Sequence, residues 1–184
     1  GMGAYLSTAA PGIPTILHGL MLSGVYTLPA VKEDVYGTYT NGTPVDAYRG
    51  AGRPEATFML ERMMDLLAAE LEIDPVDVRK KNLIPKFEDG HEVITSLNYD
   101  SGDYPAALNT VLDHADYAGL RATQAKGATN GTYLGLGLAS YVELCGLGPS
   151  QVAGAIGFQG GLWESAIVRF HPSGKVHVFI GAPP

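Results

Sequence analysis

Cysteine is almost missing: Cys145 is the only one in 184 residues. One thiol excludes an internal disulfide framework, an iron–sulfur cluster ligated by this chain alone and a four-cysteine zinc site. It fits a reducing compartment, and the expected location is the cytoplasm. Charge is scarce as well. Asp, Glu, Lys and Arg supply 17% of the residues, where about a quarter is usual, so part of the surface is expected to be covered by something else in the working molecule. The net charge of −7 argues against a nucleic-acid partner. No basic amphipathic stretch points to a membrane surface. The five histidines show no metal-ligand spacing, and neither an HExxH pair nor a nucleophile elbow occurs.

The scarcity of charge is greatest at the start. No Asp, Glu, Lys or Arg occurs before Lys32. A spanning helix needs about 20 apolar residues with few breaks, and Pro11, Gly12, Pro14, Gly19, Gly24 and Pro29 interrupt this run. No membrane span is expected. The stretch reads as a buried segment, with a short helix from Ile13 to Ser23 opened by Pro14 and an extended piece from Val25. Residues 25–40, mixing Val, Tyr and Thr, read as one or two short strands.

The most secure element follows Arg53. Pro54 suits a first helical turn, and Glu55 complements the positive end of the helix dipole. Ala56, Met59, Leu60, Met63, Met64, Leu67 and Leu71 then recur at helical spacing, predicting one apolar stripe turned to a core. Asp74-Pro75-Val76-Asp77 predicts a capped helix to about Asn82, and another runs from Pro105 to about Asp116. From Tyr133 to Cys145 the residues alternate. Leu134, Leu136, Leu138, Val142 and Leu144 fall on one face, while Gly135, Gly137, Ala139, Tyr141 and Glu143 fall on the other. Strict alternation predicts a strand with a packed face and an open one. Gly146 to Gly161 is a glycine-rich, charge-free loop. Trp163–Phe170 and Lys175–Ile180 flank a turn-forming "HPSG" and predict a hairpin. The expected fold is α+β, helices packed on mixed or antiparallel sheet. Residues 1–45 form the N-terminal segment and strands, 46–120 a loop and helices, and 130–184 a strand and hairpin.

One stretch asks for chemistry: "DAYRGAGRPEATFMLER", Asp46 to Arg62. Glycines let backbone N–H groups approach a ligand, a helix N-terminus attracts negative charge, and Arg49 and Arg53 add donors. The plainer reading pairs Arg49 and Arg53 with Asp46 and Glu55 in a structural loop. A non-catalytic module gripping a phosphate or carboxylate at residues 46–55 is a further reading. Glu143, the one acid on its strand face, is either a pocket residue or a solvated one.

The stretch "DAYRGAGRPEATFMLERMMDLLAAELEIDPVDVRKKNLIP", Asp46 to Pro85, resembles the signature region of the molybdenum hydroxylase large subunits. That family holds xanthine dehydrogenases, aldehyde oxidases and aerobic carbon monoxide dehydrogenase. "GAYLSTAAPGIPTILHGLMLSGVYTLPA", "GLGLASYVELCGLGPS" and "GGLWESAIVRFHPSGKVHVFIGAPP" extend the resemblance along most of the chain. It implies a molybdenum–molybdopterin cofactor, in plain or cytosine dinucleotide form, lying against Ala47, Tyr48, Arg49, Gly50, Ala51, Gly52 and Arg53. Tyr141 and Glu143 are then expected at the substrate pocket. It also implies hydroxylation of an electron-poor carbon in a small-molecule substrate, with electrons leaving through iron–sulfur clusters to FAD on partner subunits or domains.

Departures sharpen the expectation. Carbon monoxide oxidisers carry a copper-holding cysteine where this chain has Gly50, and glycine cannot ligate copper. Xanthine oxidisers place an aromatic ring where Ala51 sits and an arginine upstream, where residues 13–25 offer only His18. The resemblance therefore implies an aldehyde- or heterocycle-oxidising relative. The family's glutamate base and a Gly-Gln-Gly segment are not within these residues, so this chain by itself is expected to bind no cofactor and turn over no substrate.

Overall fold

The computed structural model describes residues 1–7, 10–128, 131–145, 150–155, 160 and 165–181. The fold is α+β, with helices and small antiparallel sheets, and it divides into two compact units, Gly1–Glu143 and Leu144–Pro184. Among the described residues no helix is long and apolar enough to cross a membrane.

Helix α1, Arg53–Glu70, dominates the first unit. Pro54 and Glu55 stand in its first turn, as the sequence suggests. It ends where Glu72 turns left-handed at φ 53° and the Ile73 N–H reaches back to the Ala68 carbonyl at 2.9 Å, a Schellman-type closure. The predicted stripe divides. Ala56, Met64 and Ala68 are buried, whereas Met59, Met63, Leu67 and Leu71 are exposed. The positions four apart form a narrow row, and only that row meets the neighbouring elements; the rest of the stripe stays on the surface. Helix α2, Pro75–Asn82, packs on α1. Its cap is Asp74, whose carboxylate accepts from the Val76 N–H at 2.8 Å. Val25, Tyr26, Met64, Ala68, Val78, Leu83 and Leu108 make one core cluster.

Helices α3, Tyr104–His114, and α4, Tyr117–Ala125, follow in tandem. The first matches the expected element. The second carries no buried residue and so leaves little apolar periodicity to read. Polar contacts fix it instead: the Tyr117 hydroxyl donates to Asp74 at 2.9 Å, and Arg121 Nε lies 3.1 Å from the same carboxylate. Between α2 and α3 a two-residue hairpin pairs β1, His91–Glu92, with β2, Asn98–Tyr99. Strands that short leave no alternation in the sequence.

Three expectations need correction. The helix predicted for Ile13–Ser23 is a 3-10 turn, Ala10–Gly12, and a π-helical turn, Ile13–Leu17, that stays helical through Gly19 and then gives way to turns. Gly24, at φ 49°, ends the segment. Among the described residues of the charge-free stretch, the buried ones are Met2, Gly3, Ala10, Ile13 and 21–26, while 27–48 lies largely exposed. The strands predicted for 25–40 do not form. Tyr26 makes a single bridge with Leu83, and residues 2–4 hydrogen-bond to Thr38, Thr40, Gly42 and Val45 without building a ladder.

The third correction concerns 133–145. Residues Leu136, Leu138, Ser140 and Val142 are half-buried, and Gly135, Gly137, Ala139, Tyr141 and Glu143 are exposed. The period of two is present but the strand is not. Side chains supply the bonds a ladder would have made. Arg79 Nη2 donates to the Leu138 carbonyl at 3.0 Å, the Ser140 N–H donates to Glu61 at 2.9 Å, and Gln124 reaches the Leu134 carbonyl at 3.2 Å.

In the second unit a short helix, α5, covers Ser150–Ala155. The rest of the predicted Gly146–Gly161 loop lies outside the described residues, apart from Gly160, and so does Trp163. Strands β3, Ala166–Phe170, and β4, Val176–Ile180, pair antiparallel from Ala166↔Ile180 to Phe170↔Val176. The turn closes through the Gly174 N–H on the His171 carbonyl, with Gly174 at φ 82°. Every residue of both strands is exposed.

Candidate functional site

The loop before α1 is built from three successive left-handed residues: Gly50 at φ 109°, Ala51 at 37° and Gly52 at 91°. Non-glycine residues rarely adopt positive φ, so Ala51 is held there by its surroundings. The Ala51 N–H donates to the Tyr48 carbonyl at 2.7 Å, and the Arg53 N–H to the Gly50 carbonyl at 3.1 Å. Gly52 is buried against the N-terminal turns. A Cβ at that position would stand 2.2 Å from the Ile13 carbonyl oxygen. The glycine is therefore demanded by this chain's own packing, and the apolar N-terminal segment serves as the floor of the loop.

The rest of the loop faces outward. Asp46, Ala47, Tyr48 and Arg49 are exposed, Tyr48 to 87%. Asp46 accepts from the N–H of Ala47. Neither Asp46 nor Glu55 pairs with an arginine among the described residues, and Arg49 has no ion-pair partner there. The structural pairing that the sequence left open does not form. Arg53 turns to a distant acid: its Nε lies 3.1 Å from Glu143 Oε1, and its Nη1 donates to the Ala51 carbonyl at 3.3 Å. The structure thus brings together residues 48–53 and Glu143. The Glu143 carboxylate is engaged by Arg53, with its side chain 39% exposed. Tyr141, 65% exposed, borders a cavity of about 240 Å³ lined also by Val25, Tyr104, Leu108, Val111 and Leu138. His18 is likewise occupied, with Nδ1 2.7 Å from Glu33.

Sequence reasoning missed the polar centre behind the loop. Glu61 and Arg79 are buried, with Arg79 Nε 2.9 Å from Glu61 Oε2. The Tyr26 hydroxyl donates to Glu61 Oε1 at 2.6 Å. Arg79 Nη2 also donates to Asp65 Oδ1 at 3.0 Å and to the Leu138 carbonyl. Burial, followed by the neighbouring Glu61 carboxylate, pushes the Tyr26 pKa well above its ordinary value. A signal was available. Glu61 stands three and seven residues before Met64 and Ala68 on the buried side of α1, where an acid requires a partner.

Residues 1–83 match the family profile described as "Molybdopterin cofactor-binding domain". The carbon monoxide dehydrogenase large chain of Hydrogenophaga pseudoflava is 38% identical over 86% of this chain and 20% of its own length. The chain belongs to the molybdenum hydroxylase large-subunit family. Among its relatives, the gamma subunit of the 6-hydroxypseudooxynicotine dehydrogenase complex of Paenarthrobacter nicotinovorans is 32% identical over 83% of this chain and 20% of its own length. The solved structure of quinoline 2-oxidoreductase from Pseudomonas putida 86 superposes with a TM-score of 0.77 at 28% identity, covering 96% of this chain and 22% of that one. This molybdenum hydroxylase chain therefore spans about a fifth of the length of the relatives it matches.

The residues present fit a molybdopterin group. The N–H groups of Tyr48, Arg49 and Gly50 have no acceptor among the described residues, and the Arg49 guanidinium is uncommitted. Such a donor set, beside the N-terminus of an 18-residue helix, suits a ligand rich in oxygen and negative charge.

Proposed function

We propose that the protein carrying this chain is a molybdopterin-dependent oxidoreductase that hydroxylates an aldehyde or an aromatic heterocycle. Ala47 to Arg53 hold the cofactor, and Tyr141 borders the substrate. The observation that carries this reading is the outward-facing loop 48–53, whose N–H groups at 48–50 and Arg49 guanidinium have no partner among the described residues. When bound, the molybdenum–pterin group supplies two-electron redox chemistry at the substrate carbon. This chain's part is to orient that group. Arg49 offers a charged donor, Gly50 brings backbone close without a side chain, and the α1 dipole favours negative charge at the same end. Iron–sulfur and FAD groups on partner subunits or domains would take up the electrons, in a cytoplasmic enzyme.

The substrate choice rests on Gly50. Carbon monoxide dehydrogenase stands among the relatives, but a Cβ at Gly50 would lie 2.5 Å from Pro54 Cγ, at a φ of 109°. With glycine at this position the loop carries no thiol to hold the copper that a cysteine holds in those enzymes. The names of the nicotine-derivative and quinoline enzymes favour a nitrogen heterocycle. The test is to purify the full-length subunit with its partners, measure molybdenum, copper and pterin, and assay a panel of N-heterocycles, aldehydes and carbon monoxide. Molybdenum without copper, and turnover of a heterocycle or aldehyde, is the expected result. Stoichiometric copper with carbon monoxide oxidation would overturn it.

A further inference from the structure

Glu143 is the only charged residue between Lys126 and Glu164, and its carboxylate meets Arg53, ninety positions earlier in the chain. The meeting is prepared from behind. Glu61 takes the Ser140 N–H, and Arg79 holds the Leu138 carbonyl, so the backbone leading to Glu143 is anchored to the buried ion pair. Arg53 is the next link. Its side chain is 12% exposed, and it is fixed at two points, Nε on Glu143 and Nη1 on the Ala51 carbonyl. Ala51, at φ 37°, is the one of the three left-handed loop residues that is not a glycine.

We propose that Glu143 is a positioning residue: through Arg53 it holds the Ala51 carbonyl and keeps residues 50–52 in the left-handed turn that presents Arg49 and the free N–H groups. The inference rests on the reading of the loop as the cofactor site, although its geometric part stands by itself. A residue without a side-chain acceptor at 143 would leave Arg53, largely buried, with one partner fewer. The guanidinium would then seek solvent and release the Ala51 carbonyl.

The test uses the full-length subunit assembled with its partners, carrying Glu143→Ala or Glu143→Gln, and follows amide hydrogen exchange by mass spectrometry. Glu143→Ala is expected to speed exchange of the Ala51 and Arg53 amides by about threefold or more, the scale of a partly exposed ion pair. The Ile73 amide, closing the far end of α1, should not change. Glu143→Gln, which keeps an acceptor at the same place, should restore most of the protection. Unchanged exchange at Ala51 and Arg53, or equal acceleration at Ile73, overturns the proposal. The cofactor reading is judged separately, by molybdenum content in an Arg49→Ala variant. Loop exchange that responds to Glu143 while that content stays at the wild-type level would keep the positioning role and remove the cofactor site.

Discussion

Arg79 Nε lies 2.9 Å from Glu61 Oε2, and both side chains are sealed from water. Each leans on the other for its charge, and together they tie α1, α2, Tyr26 and the 138–140 backbone into one unit. Removing Arg79 strands the buried Glu61 carboxylate, and removing Glu61 leaves the buried guanidinium with Asp65 as its one carboxylate partner among the described residues. Glu61→Ala and Arg79→Ala are each expected to cost about 3–5 kcal/mol in urea unfolding of the chain. A double replacement by Leu and Met should cost clearly less than the sum, because no charge is stranded.

Gly52 supports a second prediction. With φ at 91° and the Ile13 carbonyl in the place of a Cβ, Gly52→Ala should destabilise by more than about 2 kcal/mol. Gly127, at φ 76° with open space around it, is the control. Gly127→Ala should cost only about 1 kcal/mol, the left-handed penalty without the clash. Equal losses at the two positions would remove the packing argument.

Stability should fall in alkali. The buried hydroxyl of Tyr104, beside Tyr99 and Asp100, is pushed up to about 12, and burial with the Glu61 carboxylate raises Tyr26 as well. A folded-state pKa above the unfolded value means stability that is complete below about pH 10 and is lost as pH climbs towards the folded value. Urea midpoints measured between about pH 8 and about pH 11 should therefore decline. The two tyrosines differ at neutral pH. Tyr104 Oη has no hydrogen-bond partner among the described residues, so Tyr104→Phe should be neutral or stabilising. Tyr26→Phe strips a donor from buried Glu61 and should cost about 1–3 kcal/mol.

The outer face of α1 predicts association. Phe58 is 74% exposed, and Met59, Met63, Leu66, Leu67 and Leu71 are exposed further along the chain to the end of the helix. An apolar patch of that kind on a free chain draws partners. Sedimentation of the 184-residue chain should show concentration-dependent oligomers. Phe58→Asp with Met63→Lys should shift it towards monomer with stability changed by no more than about 0.5 kcal/mol. A monomeric parent chain at high concentration would contradict this.

Much of this was legible in the residues. The start of α1 at Arg53-Pro54-Glu55, the Asp74 cap and the "HPSG" turn are local signals, and each formed where its chemistry placed it. The 133–145 segment shows where local reading stops. Alternation reports which side chains face inward, but a ladder also needs a neighbouring strand, and Glu61 and Arg79 occupy that role here. The Arg53–Glu143 contact spans ninety positions and has no local signature at all. Gly52 carried a signal that was half understood: the glycine marks a close approach, and the backbone it approaches is the chain's own Ile13.

The most direct test of the account is molybdenum retention by the assembled enzyme carrying Arg49→Ala, with Glu55→Ala as a neighbouring control. Loss of most of the metal and pterin in the first, with a full complement in the second, is the predicted result. Wild-type metal content and turnover in Arg49→Ala would contradict the claim that this loop holds the cofactor.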